Sequence, residues 1–132
     1  MADTELIDAY YEEHSVYKSL VICDDEATAI ELATALRAKD YTLSCIMDDD
    51  ITDDRPKYMR VLEDFGPSTD RMLVMTYFVW CQTSPFCKAY VLPHQNLVVF
   101  YNLDHNMSHA IANWLQESEM CGFLENCNIL SV

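Results

Sequence analysis

The apolar run Lys18-Ser-Leu-Val-Ile-Cys23 opens the stretch of sequence that decides the fold, and this stretch continues to Thr76. An acidic turn, Asp24-Asp25-Glu26, follows the run, and an amphipathic helix is predicted from Ala27 to Lys39. Short apolar runs that alternate with helical periodicity are typical of a parallel sheet covered by helices. The sequence therefore predicts an α/β fold in which the first run is a buried strand.

The same alternation continues along the chain. Further strands are predicted from Tyr41 to Met47, Arg71 to Thr76, Leu97 to Tyr101 and Cys127 to Val132. Helices are predicted to begin at Asp3 or Thr4, at Pro56 and at Asn106. The predicted buried stripes of the first two helices contain Leu6, Ile7, Tyr10 and Tyr11, and Ala29, Ile30, Ala33 and Leu36. No repeat or linker interrupts the 132 residues, so residues 1–132 are interpreted as a single domain.

Two segments between these elements are predicted to be irregular. The segment from Asp48 to Asp54 is rich in aspartate and is interpreted as a solvated acidic loop. A calcium loop of the EF-hand kind would need a turn glycine and a terminal glutamate, which this segment lacks. The segment from Tyr77 to Gln95 combines several aromatic residues with Pro85 and Pro93, and it is predicted to be an irregular insertion.

The charge of the chain limits its partners. The net charge is −14, from 22 acidic and 8 basic residues. Proteins that bind nucleic acids need cationic surface to displace phosphate counterions, so direct binding of RNA or DNA is not expected. No apolar run approaches the roughly 18 residues that span a bilayer, and the N-terminus lacks the pattern of a secretory signal. The chain is therefore predicted to be cytoplasmic and to have no membrane contact.

The sequence offers little of the usual chemistry of enzymes, and no cofactor or metal is predicted. Gly66 and Gly122 are the only glycines, so a glycine-rich phosphate loop cannot form. The six cysteines are interpreted as reduced, small apolar side chains, because their spacing is wider than that of a zinc knuckle. His105 and His109 share a helix face, but no acidic third ligand accompanies them, and they are interpreted as surface residues.

Asp24 and Asp25 leave one alternative open. Paired acids after a first strand resemble the magnesium-binding pair of response-regulator receiver domains. A receiver also needs a phosphoacceptor aspartate at the end of the third strand, where this chain has Thr76 and Tyr77. It needs a lysine after the fifth strand as well, and none is present. A receiver-like phosphoswitch is thus disfavoured but kept as an alternative.

Several segments resemble the C-terminal RecA-like lobe of DEAD-box RNA helicases. Leu20-Val-Ile-Cys-Asp-Asp25 resembles the strand of that family that ends in Phe-Cys-Asn-Thr. Arg71-Met-Leu-Val-Met-Thr76 resembles the Arg-Val-Leu-Val-Ala-Thr that begins motif V, and Leu97-Val-Val-Phe-Tyr-Asn-Leu103 resembles the Val-Ile-Asn-Tyr-Asp-Leu before motif VI. Residues 36–46 and 61–65 are similar to the passages between them. The resemblance implies a RecA-like three-layer α/β/α domain with a mainly parallel central sheet.

The same resemblance implies that the family's activity is lost. Motif V should continue Asp-x-x-x-Arg-Gly-x-Asp, but those places hold Tyr77, Cys81, Gln82 and Ser84. The places of motif VI, whose arginines stabilise charge on the ATP γ-phosphate, hold Ala112, Asn113, Leu115, Gln116 and Glu119. An arginine finger contributes roughly 10³–10⁵ to the rate of phosphoryl transfer, and none of these side chains supplies its charge. The resemblance therefore implies a pseudoenzyme without catalytic or nucleotide-binding residues.

A lobe without its active site is expected to act by binding proteins. Degenerate lobes of this kind occur in large germline Tudor-domain proteins of the piRNA pathway, including the Yb type, so the resemblance implies an RNA-processing setting, with germline or RNA granules as one location. The candidate interaction surface, for a partner or for a homodimer, is Tyr77, Phe78, Trp80, Phe86 and Tyr90, because exposed aromatic patches often mark interfaces. Two alternatives stay open. Trp80, Phe86 and Tyr90 could merely cover the end of the sheet, and the lobe could retain RNA binding or support an ATPase.

Overall fold

The computed structural model describes residues 3–14, 16, 18–53, 55–95, 97–117 and 128–132. Their strands are β1 Ser19–Cys23, β2 Leu43–Ile46, β3 Met72–Thr76, β4 Leu97–Tyr101 and β5 Asn128–Ser131. Their helices are α1 Glu5–His14, α2 Glu26–Ala38, α3 Asp48–Asp53, α4 Arg55–Asp64, α5 Tyr77–Tyr90 and α6 His105–Glu117, with a 3₁₀ turn at Leu92–His94. None of these helices combines the length and the apolar character needed to cross a bilayer.

The described strands form one sheet in the order β2-β3-β1-β4-β5, and every pairing in it is parallel. The central strand β1 pairs along its whole length with β3 on one side and β4 on the other, so Cys23 lies between Thr76 and Tyr101. All residues of these three strands are buried, as expected for strands covered by helices on both faces. The predicted α/β fold with a parallel sheet is confirmed.

Helices cover both faces of the sheet and make a three-layer α/β/α arrangement. One face packs against α1 and α2, whose buried side chains include Ile7, Tyr11, Ala29, Leu32 and Leu36. The other face packs against α4, α5 and α6, through Tyr58, Leu62, Val79, Trp80, Ile111 and Leu115. The predicted stripes were wrong at two positions, because Leu6 is 51 % exposed and Ile30 is 52 % exposed. On α2 the buried position belongs to Leu32 instead.

The acidic segment after β2 is the short helix α3, so the prediction of a solvated loop was wrong. The side chain of Asp50 accepts a hydrogen bond from the backbone N–H of Met47 at 2.8 Å. This contact satisfies a donor that the helix itself cannot use, as in a capping box. Aspartates in a first helical turn also interact favourably with the positive end of the helix dipole. The aspartates that suggested a loop are therefore what starts the helix.

The segment predicted to be an irregular insertion is the 14-residue helix α5, so that prediction was wrong as well. Thr76 begins it by accepting a hydrogen bond from the N–H of Val79 at 3.1 Å. Its buried positions recur at helical spacing, at Val79, Trp80, Thr83 and Cys87. Pro85 lies on the exposed side, where it removes only the N–H that would have bonded to the carbonyl of Cys81. The helix tolerates this loss because its opposite face is held in the core.

Other expectations need smaller corrections. The residue that caps α6 is Asp104, whose Oδ1 accepts a hydrogen bond from the N–H of Met107 at 2.8 Å, and the predicted cap, Asn106, lies inside the helix. The predicted second strand extends beyond β2 at both ends. Cys127, with which the last strand was predicted to begin, lies outside the described residues.

The order of the strands decides against the receiver alternative. Receiver domains have the flavodoxin-like order 2-1-3-4-5, in which the first strand pairs with the second. In this sheet β1 pairs with β3 and β4, and β2 pairs with β3. The receiver interpretation was therefore wrong.

Candidate functional site at the carboxyl edge of the sheet

Open parallel sheets bind ligands outside the carboxyl ends of their strands. In this protein that region, here called the carboxyl edge, consists of residues 24–26 after β1, 47–50 after β2, 76–77 around the end of β3 and 102–104 after β4. Most of its polar side chains are carboxylates. What these side chains contact decides what the edge can bind.

The turn from β1 to α2 is closed by its own acidic residues. Asp25 caps α2 by accepting a hydrogen bond from the N–H of Thr28 at 2.8 Å, and this bond lowers the pKa of Asp25. Asp24 accepts a hydrogen bond from the side-chain amide of Asn102 at 3.0 Å. Asn102 adopts a left-handed backbone conformation with φ of 58°, which asparagine tolerates better than most residues. The helix N-terminus at which a phosphate loop binds its anion is therefore occupied by a carboxylate of the chain.

The turns after β2 and β3 are joined to each other. The hydroxyl of Thr76 accepts from the N–H of Val79 and donates to the carboxylate of Asp48 at 2.6 Å. At the end of β4, Asp104 caps α6. The helices α2, α5 and α6 thus all begin at this edge, and in each of them one N–H group of the first turn donates to a side chain of the chain itself. An anionic ligand would have to displace these side chains.

The electrostatics of the edge oppose anions. Burial raises the pKa of Glu26, and the carboxylates of the α3 aspartates raise it further. The charges of the α3 aspartates thus disfavour the ionised form of Glu26 in α2. The ammonium of Lys57 lies 3.8 Å from Asp50 Oδ1 at the outer side of α3. Within the described residues, no group of three or more His, Cys, Asp or Glu side chains is placed to hold a metal ion.

The predicted aromatic surface is divided between the core and the exterior. Phe78 is 43 % exposed and Tyr90 is 39 % exposed, at opposite ends of α5. Trp80 is only 4 % exposed and packs edge-on against Trp114, with ring centroids 5.3 Å apart. The assignment of Trp80 to an exposed surface was wrong, because its side chain is part of the hydrophobic core between the helices and the sheet.

The two remaining aromatic residues are half-buried. Tyr77 begins α5, and its pKa is raised first by a hydrogen bond with Cys81, then by burial and by the charge of Asp104. The ring of Phe86 lies under the guanidinium of Arg55, at 5.8 Å from the ring centroid. Tyr77 is therefore the one predicted aromatic residue that lies at the carboxyl edge itself.

The positions matched to helicase motifs lie on two helices. Cys81 and Gln82 are exposed on α5, and Ser84 is half-buried there. On α6, Asn113 is exposed, Ala112 is half-buried, and Leu115 is a core residue with 1 % exposure. The side chain of Gln116 and the whole of Glu119 lie outside the described part of the chain. Sequence reasoning missed the capping roles of Asp25, Thr76 and Asp104, although Ser, Thr, Asp or Asn before a helix is a recognisable signal.

Comparisons with known proteins establish the fold. No family model matches the sequence, and no curated protein matches it. A solved structure that does match is the solution NMR structure of a de novo designed protein with a P-loop NTPase fold, with a TM-score of 0.50. The match has 13 % sequence identity and covers 87 % of this chain and 79 % of the designed protein. The chain therefore has an α/β fold of the RecA-like and P-loop type, and the match concerns the fold alone.

Proposed function

We propose that this chain is a non-catalytic, helicase-like lobe that acts by binding another protein, and that it has no nucleotide or RNA site. The observation that carries the proposal is the capping of the carboxyl edge by Asp25, Thr76 and Asp104. Phosphates bind helix N-termini through free N–H groups and a positive dipole. Here one N–H group in the first turn of each of these three helices already bonds to a side chain of the chain, and most polar side chains of the edge are carboxylates, so a phosphate would meet repulsion.

The helicase part of the proposal is supported by where the resembling segments lie. Residues 20–25, 71–76 and 97–103 correspond to β1, β3 and β4 with their following turns, which are the centre of the sheet. The motif positions that follow β3 and β4 carry no arginine. We infer from the resemblance an RNA-processing setting in the cytoplasm, such as a Tudor-domain protein of the piRNA pathway.

The contact surface that we propose lies on α5 and α6. From Tyr77 to Glu117 the only formally charged side chains are Lys88, Asp104 and Glu117, in a chain with a net charge of −14. The exposed residues of this α5–α6 surface include Phe78, Cys81, Gln82, Tyr90, His105, His109 and Asn113. The two helices lie side by side, because their tryptophans Trp80 and Trp114 pack together. Low charge with exposed aromatic side chains is characteristic of the centre of protein interfaces.

Sedimentation velocity across a range of concentrations tests self-association through this surface. We expect the wild-type protein to form a concentration-dependent dimer and Phe78→Ser to shift it towards the monomer. Leu6→Ser is the matched control, because it removes a similarly exposed apolar side chain from the opposite layer. A wild-type protein that stays monomeric, or a dimer that both variants weaken equally, would contradict this surface. Trp80→Ala is unsuitable, because removing a buried tryptophan costs about 3–5 kcal/mol of stability.

Binding of a fluorescent ATP analogue and of a single-stranded RNA oligonucleotide tests the other half of the proposal. We expect no saturable binding of either, with or without Mg²⁺. Saturable ATP binding, or RNA binding that falls steeply with salt as phosphate contacts require, would favour the alternative of a residual RNA-binding or ATPase-supporting lobe.

A further inference from the structure

A groove of about 630 Å³ lies along α2, between this helix and the start of α1. It is on the face of the sheet opposite to the α5–α6 surface. Its floor is one stripe of α2, formed by Ile30, Thr34, Ala35 and Ala38. Ile30 is 52 % exposed, and the hydroxyl of Thr34 is already satisfied because it donates to the carbonyl of Ile30 at 2.9 Å. The floor is therefore apolar and accessible.

The rim of the groove is acidic. Asp3, Glu5 and Glu31 line it, and all three are exposed. Lys39 is the one basic residue in the lining, and its ammonium lies 2.5 Å from the carboxylate of Asp8. The cation in the lining is thus engaged by the chain itself. Of the three rim carboxylates, that of Asp3 accepts a hydrogen bond from the N–H of Glu5 at 2.9 Å, so Glu5 and Glu31 are the main carboxylates presented to a ligand.

The walls of the groove are held in place by contacts away from it. Asp8 in α1 also accepts a hydrogen bond from the hydroxyl of Tyr41 at 2.8 Å. The N–H of Asp3 donates to the hydroxyl of Tyr101 at 2.9 Å, at the end of the central strand β4. Ile7 is fully buried against the sheet. Because these contacts hold the first half of α1, which forms the wall of the groove, a ligand would not have to order the groove when it binds.

We infer that this groove binds a basic amphipathic helix of a partner protein. Small side chains such as those of Ala35 and Ala38 let a second helix approach closely, and an apolar stripe in such a helix would cover Ile30. Lysine or arginine residues beside that stripe would face the acidic rim, in the helix-in-groove mode of recognition. A second copy of this chain does not fit the groove, because none of its described helices is strongly basic: α4 carries three basic and two acidic side chains, and α5 carries Lys88 as its one charged side chain. Nucleic acids and anionic membranes are repelled because the chain is strongly acidic.

A labelled peptide provides the test. The probe is a fluorescein-labelled peptide of about five helical turns, made of leucine and lysine in an amphipathic pattern, and a scrambled peptide of the same composition is its control. Fluorescence anisotropy at physiological salt measures the affinity of each for the full chain. We expect the amphipathic peptide to bind and Ile30→Ser to weaken it roughly tenfold, because most of an isoleucine side chain is no longer buried. Leu6→Ser, which removes an equally exposed leucine outside the groove, should change the affinity less than twofold.

A second pair of variants tests the rim. Glu31→Gln should weaken binding severalfold, whereas Glu63→Gln, which removes an exposed acid on α4, should have little effect. In two-dimensional NMR, addition of the peptide should change the amide chemical shifts of Ile30 and Lys39 and leave those of Phe78 and Tyr90 unchanged. Equal affinity for the scrambled peptide, equal effects within either pair of variants, or shifts centred on α5 would overturn the inference. Phe78→Ser should leave peptide binding unchanged, so failure here is distinguishable from failure of the α5–α6 surface.

Discussion

The two ends of the sheet use their charged side chains in different ways. At the amino ends of the strands, the ammonium of Lys18 donates three hydrogen bonds to the connection between α4 and β3. Their acceptors are the carbonyl oxygens of Phe65, Ser68 and Asp70, at 2.6–2.9 Å. It also lies 4.5 Å from the ring centroid of Phe65. Burial lowers the pKa of Lys18, and the charge of Asp70 acts in the opposite direction. At this end a cation is surrounded by groups that attract it.

Arg71 has a similar role beside Lys18. Its guanidinium lies 4.8 Å from the ring centroid of Tyr11 and 5.3 Å from that of Tyr41, and it donates to the carbonyl of Val16. Such cation–π contacts contribute more when the cation is partly shielded from water. At the carboxyl ends, by contrast, carboxylates lie beside carboxylates. At the amino ends of the strands, here called the amino edge, charged side chains thus stabilise the fold. At the carboxyl edge like charges lie together, and only the helix caps contribute to stability.

Removing the cation of the amino edge is expected to have the largest effect. Lys18→Met keeps most of the side-chain volume but removes the donor to the carbonyls of Ser68 and Asp70, while the Phe65 carbonyl keeps a hydrogen bond from the hydroxyl of Ser68. The loss should cost about 2 kcal/mol. Lys57→Met, at an exposed position of α4, should cost less than about 0.5 kcal/mol. Urea unfolding at neutral pH measures both. Equal stabilities of the two variants would show that the Lys18 contacts contribute nothing specific.

Removing a cap of the carboxyl edge is expected to cost less. Thr76→Val keeps the shape of the buried side chain but removes the acceptor for the N–H of Val79 and the donor to Asp48. The expected loss of stability is about 1–2 kcal/mol. Thr69→Val, at an exposed position, is the matched control. Urea unfolding at neutral pH, as for Lys18→Met, measures both variants. If the loss exceeded that of Lys18→Met, the contrast between the two edges would have to be reversed.

Acid should weaken the amino edge through Asp8. Burial raises the pKa of Asp8, but hydrogen bonds from Lys39 and Tyr41 outweigh it, so the pKa lies below its ordinary value of 3.8. Because the folded pKa is lower than the unfolded one, the stability from this group is present above about pH 4 and is lost as the pH falls through the folded pKa. Asp8→Asn should therefore be less stable than the wild type at pH 7, and the difference should shrink at pH 3. A difference that is the same at both pH values would contradict this role.

Removing a charge from the carboxyl edge should have the smallest effect, and its sign should be opposite. The charges of the α3 aspartates contribute to the raised pKa of Glu26, so Asp49→Asn relieves repulsion and should raise the melting temperature slightly at low salt. The gain should disappear at high salt, where exposed charges are screened. Glu63→Gln on α4 serves as the control. A fall in melting temperature for Asp49→Asn would show that the acids at this edge stabilise the fold.

Much of the fold could be predicted from the sequence, because the apolar runs of β1, β3 and β4 are buried on both faces and leave a simple pattern. The helix α5 was not predicted, because Pro85 was taken as a break, although a proline on the exposed side of a helix that is anchored in the core can be accommodated. The spacing of Val79, Trp80, Thr83 and Cys87 was the signal that identifies this helix. The short helix α3 was missed because its aspartates were judged only as solvated charges.

The candidate site was predicted only in outline. The acidic residues that follow β1 and β2 were recognised from the sequence because they are adjacent to strands, but they were interpreted as a receiver-like pair and as a solvated loop. The contacts of Asp24 with Asn102 and of Thr76 with Asp48 could not be predicted, because these partners are far apart along the chain. The hydrogen bonds of Lys18 to backbone carbonyls could not be predicted for the same reason, since they depend on the backbone path between α4 and β3.

The position of β1 has a consequence for synthesis of the chain. Of the described strands this one is synthesised first, but it lies in the middle of the sheet and pairs with β3 on one side and β4 on the other. Pairing between residues so distant in sequence requires the closure of a large loop. The entropic cost of this closure comes before the favourable contacts between the strands form. Until residues 97–101 have emerged, one side of this strand, which is apolar from Leu20 to Cys23, lacks its partner, and such open strand edges recruit other chains. A nascent or prematurely terminated chain that ends before Leu97 is therefore expected to aggregate or to require a chaperone.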